Sequence, residues 1–194
     1  MSGGVGRIGE LLDSIGRALK TEIGQLHPWQ DGLTLVSRLI PHQAGNSLRA
    51  ELLRRMGFEI GPHTELEGTP KLNGPDRQNS ENLRIGSHCQ IGVDCEFEPG
   101  ATITIGDHVT LGHEVMILTT THELGSHEHR AGAIVRNPVT IESGAWIGAR
   151  SIILPGVTIG EGAIVEACSV VTQNVANNAR VAGNPARQLE LVTP

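Results

Sequence analysis

From position 141 the chain repeats itself every six residues, and this period restricts the fold more than any other feature. Ile141, Ile147, Ile153, Ile159, Val165 and Val171 are all aliphatic. Four residues further on, Ala145, Ser151, Val157, Ala163, Ser169 and Val175 are all small or β-branched. The same register runs upstream through Ile85, Ile91 and Phe97, with Cys89, Cys95 and Ala101 in the small position. It resumes after a two-residue slip at Ile105, Leu111 and Ile117, followed by Val109, Val115 and Thr121, and a fainter start is visible at Ile60, Leu66 and Leu72.

A period of six matches neither the roughly 3.6 of a helix nor the simple alternation of an isolated strand. It matches a short strand and a tight turn, repeated. Three such units close a triangular coil of about eighteen residues whose aliphatic side chains point inward and stack coil upon coil, an all-β solenoid of the parallel β-helix type. Composition agrees, because a narrow prism admits Ile, Val and Leu and little larger, and the chain has no Tyr, two Phe and two Trp. Gly is abundant, 25 of 194 residues, but without the strict triplet of collagen. Glycines after the aliphatics (Gly86, Gly92, Gly106, Gly112, Gly148, Gly160) and at turns (Gly100, Gly144, Gly156, Gly162) are expected to supply the backbone freedom of the corners.

The net charge of −6, without a basic run, argues against a nucleic-acid binder. Arg7, Glu10 and Asp13 interrupt the N-terminal apolar pattern where an export signal needs an unbroken stretch, and no run is long enough for a transmembrane segment, so a cytoplasmic protein is expected. Val5, Ile8, Leu12, Ile15, Leu19 and Ile23 recur at helical spacing, as do Leu48, Leu52, Leu53 and Met56, with Gly57 placed to end the second helix. Both helices are expected to dock on the solenoid or on a neighbouring subunit. Cys89, Cys95 and Cys168 lack CxxC spacing and read as buried small residues. The division predicted is an N-terminal helical segment (1–57), a β-helix (58–182) with a loop insertion at 119–138, and a short C-terminal tail (183–194).

The hexads have the form aliphatic-Gly-x-x-small-x. With IGDHVTLGHEVMILTTTH (105–122), VTIESGAWIGARSIILPGVTIGEGAIVEACSVVTQNV (139–175) and VAGNPAR (181–187), the chain resembles the hexapeptide-repeat O-acetyltransferases, of maltose, galactoside and exopolysaccharide-biosynthesis type. The resemblance covers roughly residues 58–190 and implies a left-handed β-helix, a homotrimer, and acetyl-CoA as acyl donor to a sugar or glycan acceptor. Handedness comes from the family, since left-handed coils run against the usual crossover rule.

The regular hexads stop after Ile117 and recover near Val135 to Ile141, and irregular insertions in a solenoid gather on one face and carry function. In the resembling enzymes the catalytic His lies just before this loop, which selects His122 of Thr119-Thr120-Thr121-His122. Proton removal from an attacking hydroxyl suits His. The resemblance also places Trp146, Ala149, Ala167 and Thr172 along the acetyl-CoA groove between subunits, with Arg187 near the nucleotide phosphates, where a guanidinium can hold phosphate through two N–H groups. Asp94, His127 and Arg130 are candidates for substrate contact, the last two because they share the loop with His122; His129 shares it too. His63, His88 and His108 fall at the fourth, outward position of their hexads and read as solvated. Where the sugar acetyltransferases carry an acceptor-positioning Asn two hexads before the His, this chain has Gly92. Glu123 replaces the Pro that often follows the His, and these changes favour the polysaccharide-synthesis branch.

Two alternatives remain open at this point. The same fold houses γ-class carbonic anhydrases with zinc on three His, for which His88, His122 and His127 would be the set, although the acetyltransferase reading expects no metal. A β-helix can also be a non-catalytic scaffold.

Overall fold

The structure is a computed structural model; it describes residues 35, 36, 39–41, 45–73 and 80–191. The predicted helix over 5–26 lies outside these residues. Three parallel sheets form the walls of a three-faced β-helix. The first coil is β1 (Glu59–Ile60), β2 (Glu65–Leu66) and β3 (Lys71–Leu72), and the second is β4 (Leu83–Ile85), β5 (Gln90–Ile91) and β6 (Glu96–Glu98). The third is β7 (Ile103–Ile105), β8 (Thr110–Leu111) and β9 (Met116–Leu118), after which β10 (Thr120–Leu124) and β11 (Ala131–Arg136) leave the wall as an antiparallel hairpin. The walls resume with β12 (Val139–Ile141), β13 (Trp146–Ile147) and β14 (Ile152–Ile153), then β15 (Thr158–Ile159), β16 (Ile164–Val165) and β17 (Val170–Val171). Finally β18 (Ala179–Ala182) extends the second face, and β19 (Arg187–Leu191), within the predicted tail, turns back on it antiparallel.

The hexad aliphatics meet in register. Ile60, Ile85, Ile105, Ile141 and Ile159 stack on the first face; Leu66, Ile91, Leu111, Ile147, Val165 and Val181 on the second; Leu72, Phe97, Ile117, Ile153 and Val171 on the third. All but Leu72 are buried, as are the small-position residues from Ala145 to Val175. Thr121 departs from the repeat position that the period assigns it. The chain has already left the wall after Thr119, so Thr121 is exposed on the hairpin.

The glycines after the aliphatics serve a different purpose from the one expected. Gly148 has no left-handed φ; a Cβ built on it would lie 2.4 Å from the backbone nitrogen of Ala167 in the next coil. Close stacking of the coils, rather than turn conformation, demands glycine there. The left-handed conformation falls two residues later, on His63, His88, His108, Gly144, Gly162 and Asn178 at the corner between the first and second faces, and on Asp94, Glu114, Arg150, Cys168 and Gly183 at the corner between the second and third. Cys168 is therefore exposed, not buried as its hexad suggested, because it occupies a corner and Ser169 takes the inward place. The corner histidines are exposed but not merely solvated. Their rings stack, His63 on His88 at 4.8 Å and His88 on His108 at 4.9 Å.

Helix α1 (Asn46–Arg55) covers the open end of the first coil, packing Ala50, Leu53 and Met56 into the core. Leu48, expected on the apolar face, is half exposed, and Arg49 is buried instead. The Arg49 guanidinium donates to the carbonyls of Leu66 (2.9 Å) and Ile40 (2.8 Å) and to Asn46 Oδ1, so its burial is compensated by acceptors and ties the helix to the coil. Gly57, with φ +95°, ends the helix as the sequence predicts. No helix among the described residues is long and apolar enough to cross a membrane.

Two stability outcomes are expected from chemical denaturation. Ile147→Ala, at a fully buried stacking position, should cost about 2–5 kcal/mol. Gly148→Ala should cost about 1–3 kcal/mol by overpacking, although the same exchange at an unstrained open site would add stability.

Candidate active site

The hairpin β10–β11 replaces the turn at the corner between the third and first faces. The chain leaves the coil at Thr119 and re-enters at Asn137, whose N–H donates to the Thr119 carbonyl at 2.8 Å. Thr120 pairs with Arg136, Thr121 with Val135 and His122 with Ile134; the register then shifts before Leu124 pairs with Ala131. This shift brings the carbonyl of Gly132 to His122 Nδ1, 2.9 Å away. A carbonyl can only accept, so Nδ1 is the donor, and in the neutral ring the lone pair is on Nε2. The ring is exposed. His127, His129 and Arg130 lie exposed near the hairpin tip, where Gly125 and Arg130 close the turn backbone to backbone at 2.9 Å.

The other predicted residues gather at the opposite edge of the third face. Asp94 sits at the corner between the second and third faces, paired with Lys71 at 3.1 Å, and with Lys71, Glu96, Glu114 and Met116 lines a depression of about 270 Å³. Glu114 is held by Arg150 from the coil above, both contacts being 3.1 Å. Ala149 and Ala167 occupy successive turns of this same corner. Trp146, between Thr110 and Ile164 on the second face, is 54% exposed, which is unusual for so large an apolar surface. Arg187 begins β19 at the end of that face, exposed, its guanidinium donating to the Ala186 carbonyl. Thr172 is the exception among the predicted groove residues. It follows β17 at the hairpin's corner, exposed.

One chain thus holds His122, His127, Arg130 and Thr172 along one edge of the third face, and Asp94, Trp146, Ala149, Ala167 and Arg187 at or around the other. It does not bring the two groups together. The zinc alternative gains no support within one chain: His88 lies in the corner stack between His63 and His108, away from the hairpin. Among the described residues no three His, Cys, Asp or Glu converge as metal ligands.

Sequence reasoning also passed over the residues at the base of the hairpin. Thr119 is fully buried; its hydroxyl donates to the Glu98 carbonyl and accepts from the Ala101 N–H at 2.9 Å. The Glu98 carboxylate accepts from the Thr120 N–H at 3.3 Å. Three consecutive threonines before a His were a visible signal, but spacing could not say which of them faces inward.

Comparison with known proteins decides the family. A model of the bacterial transferase hexapeptide (six repeats) matches residues 138–173, and one of the hexapeptide repeat of succinyl-transferase matches 82–113. A crystal structure of a hexapeptide-repeat-containing acetyltransferase from Vibrio cholerae is 31% identical, superposes with a TM-score of 0.75, and aligns over 89% of this chain and 94% of its own. This chain belongs to the hexapeptide-repeat acetyltransferases. Its solenoid is accordingly the left-handed parallel β-helix. The Vibrio protein has also been solved in complex with acetyl coenzyme A. A maltose O-acetyltransferase from Clostridium difficile shares 26% identity and a TM-score of 0.65 over 86% of each chain. Among curated relatives, a putative acetyltransferase of Schizosaccharomyces pombe is 37% identical over 81 residues, 42% of this chain and 39% of that protein. The chain thus spans about two-fifths of the length of that curated relative.

The site's surroundings separate the thiols of this family member. Burial pushes Cys95 up to about 11 and raises Cys89 as well, whereas Cys168 is open to solvent. A thiol-disulfide reagent should therefore titrate one thiol quickly in the folded protein and all three after denaturation. Fast reaction of Cys89 or Cys95 in the native state would contradict their placement.

Proposed function

We propose that this protein is an acetyl-CoA-dependent O-acetyltransferase that acetylates a hydroxyl of a sugar or glycan precursor, with His122 as the general base. The observation that carries the reading is the exposed His122 ring on an insertion that breaks the coil wall, its Nδ1 2.9 Å from the Gly132 carbonyl, a contact that leaves the lone pair of the neutral ring on Nε2. Nε2 takes the proton of the acceptor hydroxyl as its oxygen adds to the thioester carbonyl. The tetrahedral intermediate then expels the CoA thiolate, which recovers that proton from the imidazolium. The Gly132 carbonyl holds the ring in the same orientation before and after proton transfer, since Nδ1 donates in both forms. No covalent acyl-enzyme and no metal are needed.

For the donor, Ala149 and Ala167 leave the backbone of the second corner uncovered by large side chains, beside the exposed Trp146, which suits an extended pantetheine arm. Arg187 supplies an exposed guanidinium whose remaining N–H groups can take phosphate, and Thr172 completes the set. Asp94, His127 and Arg130 are assigned to acceptor binding. The two groups of residues lie on separate edges of the third face, so a complete site requires the hairpin edge of one copy against the second corner of another. Three copies around an axis meet this requirement with identical contacts, which supports a homotrimer. With acetyl-CoA as donor, the reaction belongs in the cytoplasm.

The test is an acceptor screen over sugars and glycan precursors that follows release of the CoA thiol. His122→Ala should lower kcat by about two to four orders of magnitude with thermal stability and oligomeric state unchanged; near-normal turnover would remove the mechanism. Subunit mixing tests the shared site. Ala167→Glu should block the groove, and co-refolding it with His122→Ala should restore activity above either parent, because some interfaces then pair an intact hairpin with an intact corner. Failure to complement would mean that each chain builds its site alone.

A further inference from the structure

We propose that the Thr119 hydroxyl, assisted by the Glu98 carboxylate, is the positioning device that sets His122, acting through the register of the hairpin. The inference rests on His122 being the base. A β10–β11 hairpin standing out from the solenoid has few contacts of its own to hold it, since Leu124 is 83% exposed and Ile134 52% exposed. Its geometry must be imposed at the base. There Thr119 is fully buried, a costly place for a hydroxyl unless its bonds are made. Both are made, to the Glu98 carbonyl and from the Ala101 N–H, and both partners belong to the coil below. The carbonyl of the same residue receives the returning Asn137 N–H at 2.8 Å. One residue therefore joins the lower coil, the departing strand and the returning strand.

Glu98 reinforces the join. Its carboxylate accepts from the Thr120 N–H, the first residue outside the wall, at 3.3 Å. On the same side Gly100 leaves room for Thr120, whose hydroxyl oxygen lies where a Cβ on residue 100 would be. Thr120 is consequently fixed from two directions, by its N–H and by packing. His122 is two residues further along an extended strand, so it shares a side of the hairpin with Thr120. A slip of one residue in β10 would carry the imidazole to the other side and break its bond to the Gly132 carbonyl, leaving the tautomer unset. Thr119 and Glu98 are thus positioning residues, with no contact to the reacting atoms.

The experiment compares Thr119→Val, Thr119→Ser and Glu98→Ala in the full chain, measuring kcat, KM for acetyl-CoA, and amide hydrogen exchange of the peptide covering 120–136 without substrate. Thr119→Val keeps the shape but removes the hydroxyl. It should lower kcat by about tenfold or more while KM for acetyl-CoA stays within about twofold, as expected when a base is misplaced and donor binding is untouched. Exchange across 120–136 should rise by about tenfold while the coils stay protected. Thr119→Ser, which restores the hydroxyl, should recover most of both. If Thr119→Val does not fold, Glu98→Ala decides by the same readouts, with a smaller loss of kcat and faster hairpin exchange. Unchanged hairpin exchange in the variants that fold, or a Ser variant as impaired as Val, would overturn the proposal. Full activity in His122→Ala would sink the base assignment alone, because hairpin exchange would still report whether Thr119 holds the register.

Discussion

Everything in this molecule depends on parallel coils lying directly on one another in register. Each inward side chain meets its counterpart one coil along, so Ile141 sits between Ile105 and Ile159, and Ile147 between Leu111 and Val165. Such stacking buries aliphatic surface continuously and satisfies the backbone along each wall, while leaving little room for variation. It admits few large rings to the core, Phe58 and Phe97 among the described residues, and it removes even a Cβ where neighbouring turns approach most closely, as at Gly148. It also places left-handed residues in columns, which accounts for non-glycine side chains such as His88 and Arg150 holding a conformation that costs about 1–2 kcal/mol each.

A wall so constrained can be interrupted only at a corner, where no ladder is broken. The hairpin leaves between the third and first faces, and the walls close beneath and above it, with Val139 pairing to Ile103 as though nothing intervened. The solenoid thereby provides a rigid mount for a short, exposed segment. Such a mount suits the chemistry proposed for His122, which needs an imidazole in one tautomer and one direction. The same geometry leaves the proposed donor and base residues on separate edges of one face, which makes a neighbouring copy part of the proposed site.

The coils were legible because the period is a property of consecutive residues. Each hexad aliphatic from Ile85 to Val171 faces inward, and even the faint start at Ile60 and Leu66 joins the core. Errors arose where a local pattern met a break or a corner. Counting by sixes assigns Thr121 to the small position of a hexad, one step past the point where the chain leaves the wall. Cys168 reads as a buried small residue, yet it occupies an exposed corner beside the inward Ser169. Helical spacing places Leu48 on the apolar face, whereas carbonyl acceptors from residues 40 and 66 make the Arg49 guanidinium the buried partner. In each case the deciding contact lies far along the chain or on another element.

By itself the amino-acid sequence determined the solenoid, its narrow aliphatic core and the place of the insertion, because stacking like on like writes a short period into the chain; the family resemblance then singled out His122. Only the tertiary structure decided which nitrogen of His122 is free, that Thr119 rather than Thr121 is the buried threonine, and that the candidate residues divide between two edges. Those properties depend on the Gly132 carbonyl, the Ala101 N–H and the closure of the triangle, contacts between segments whose separation follows no period that a sequence can display.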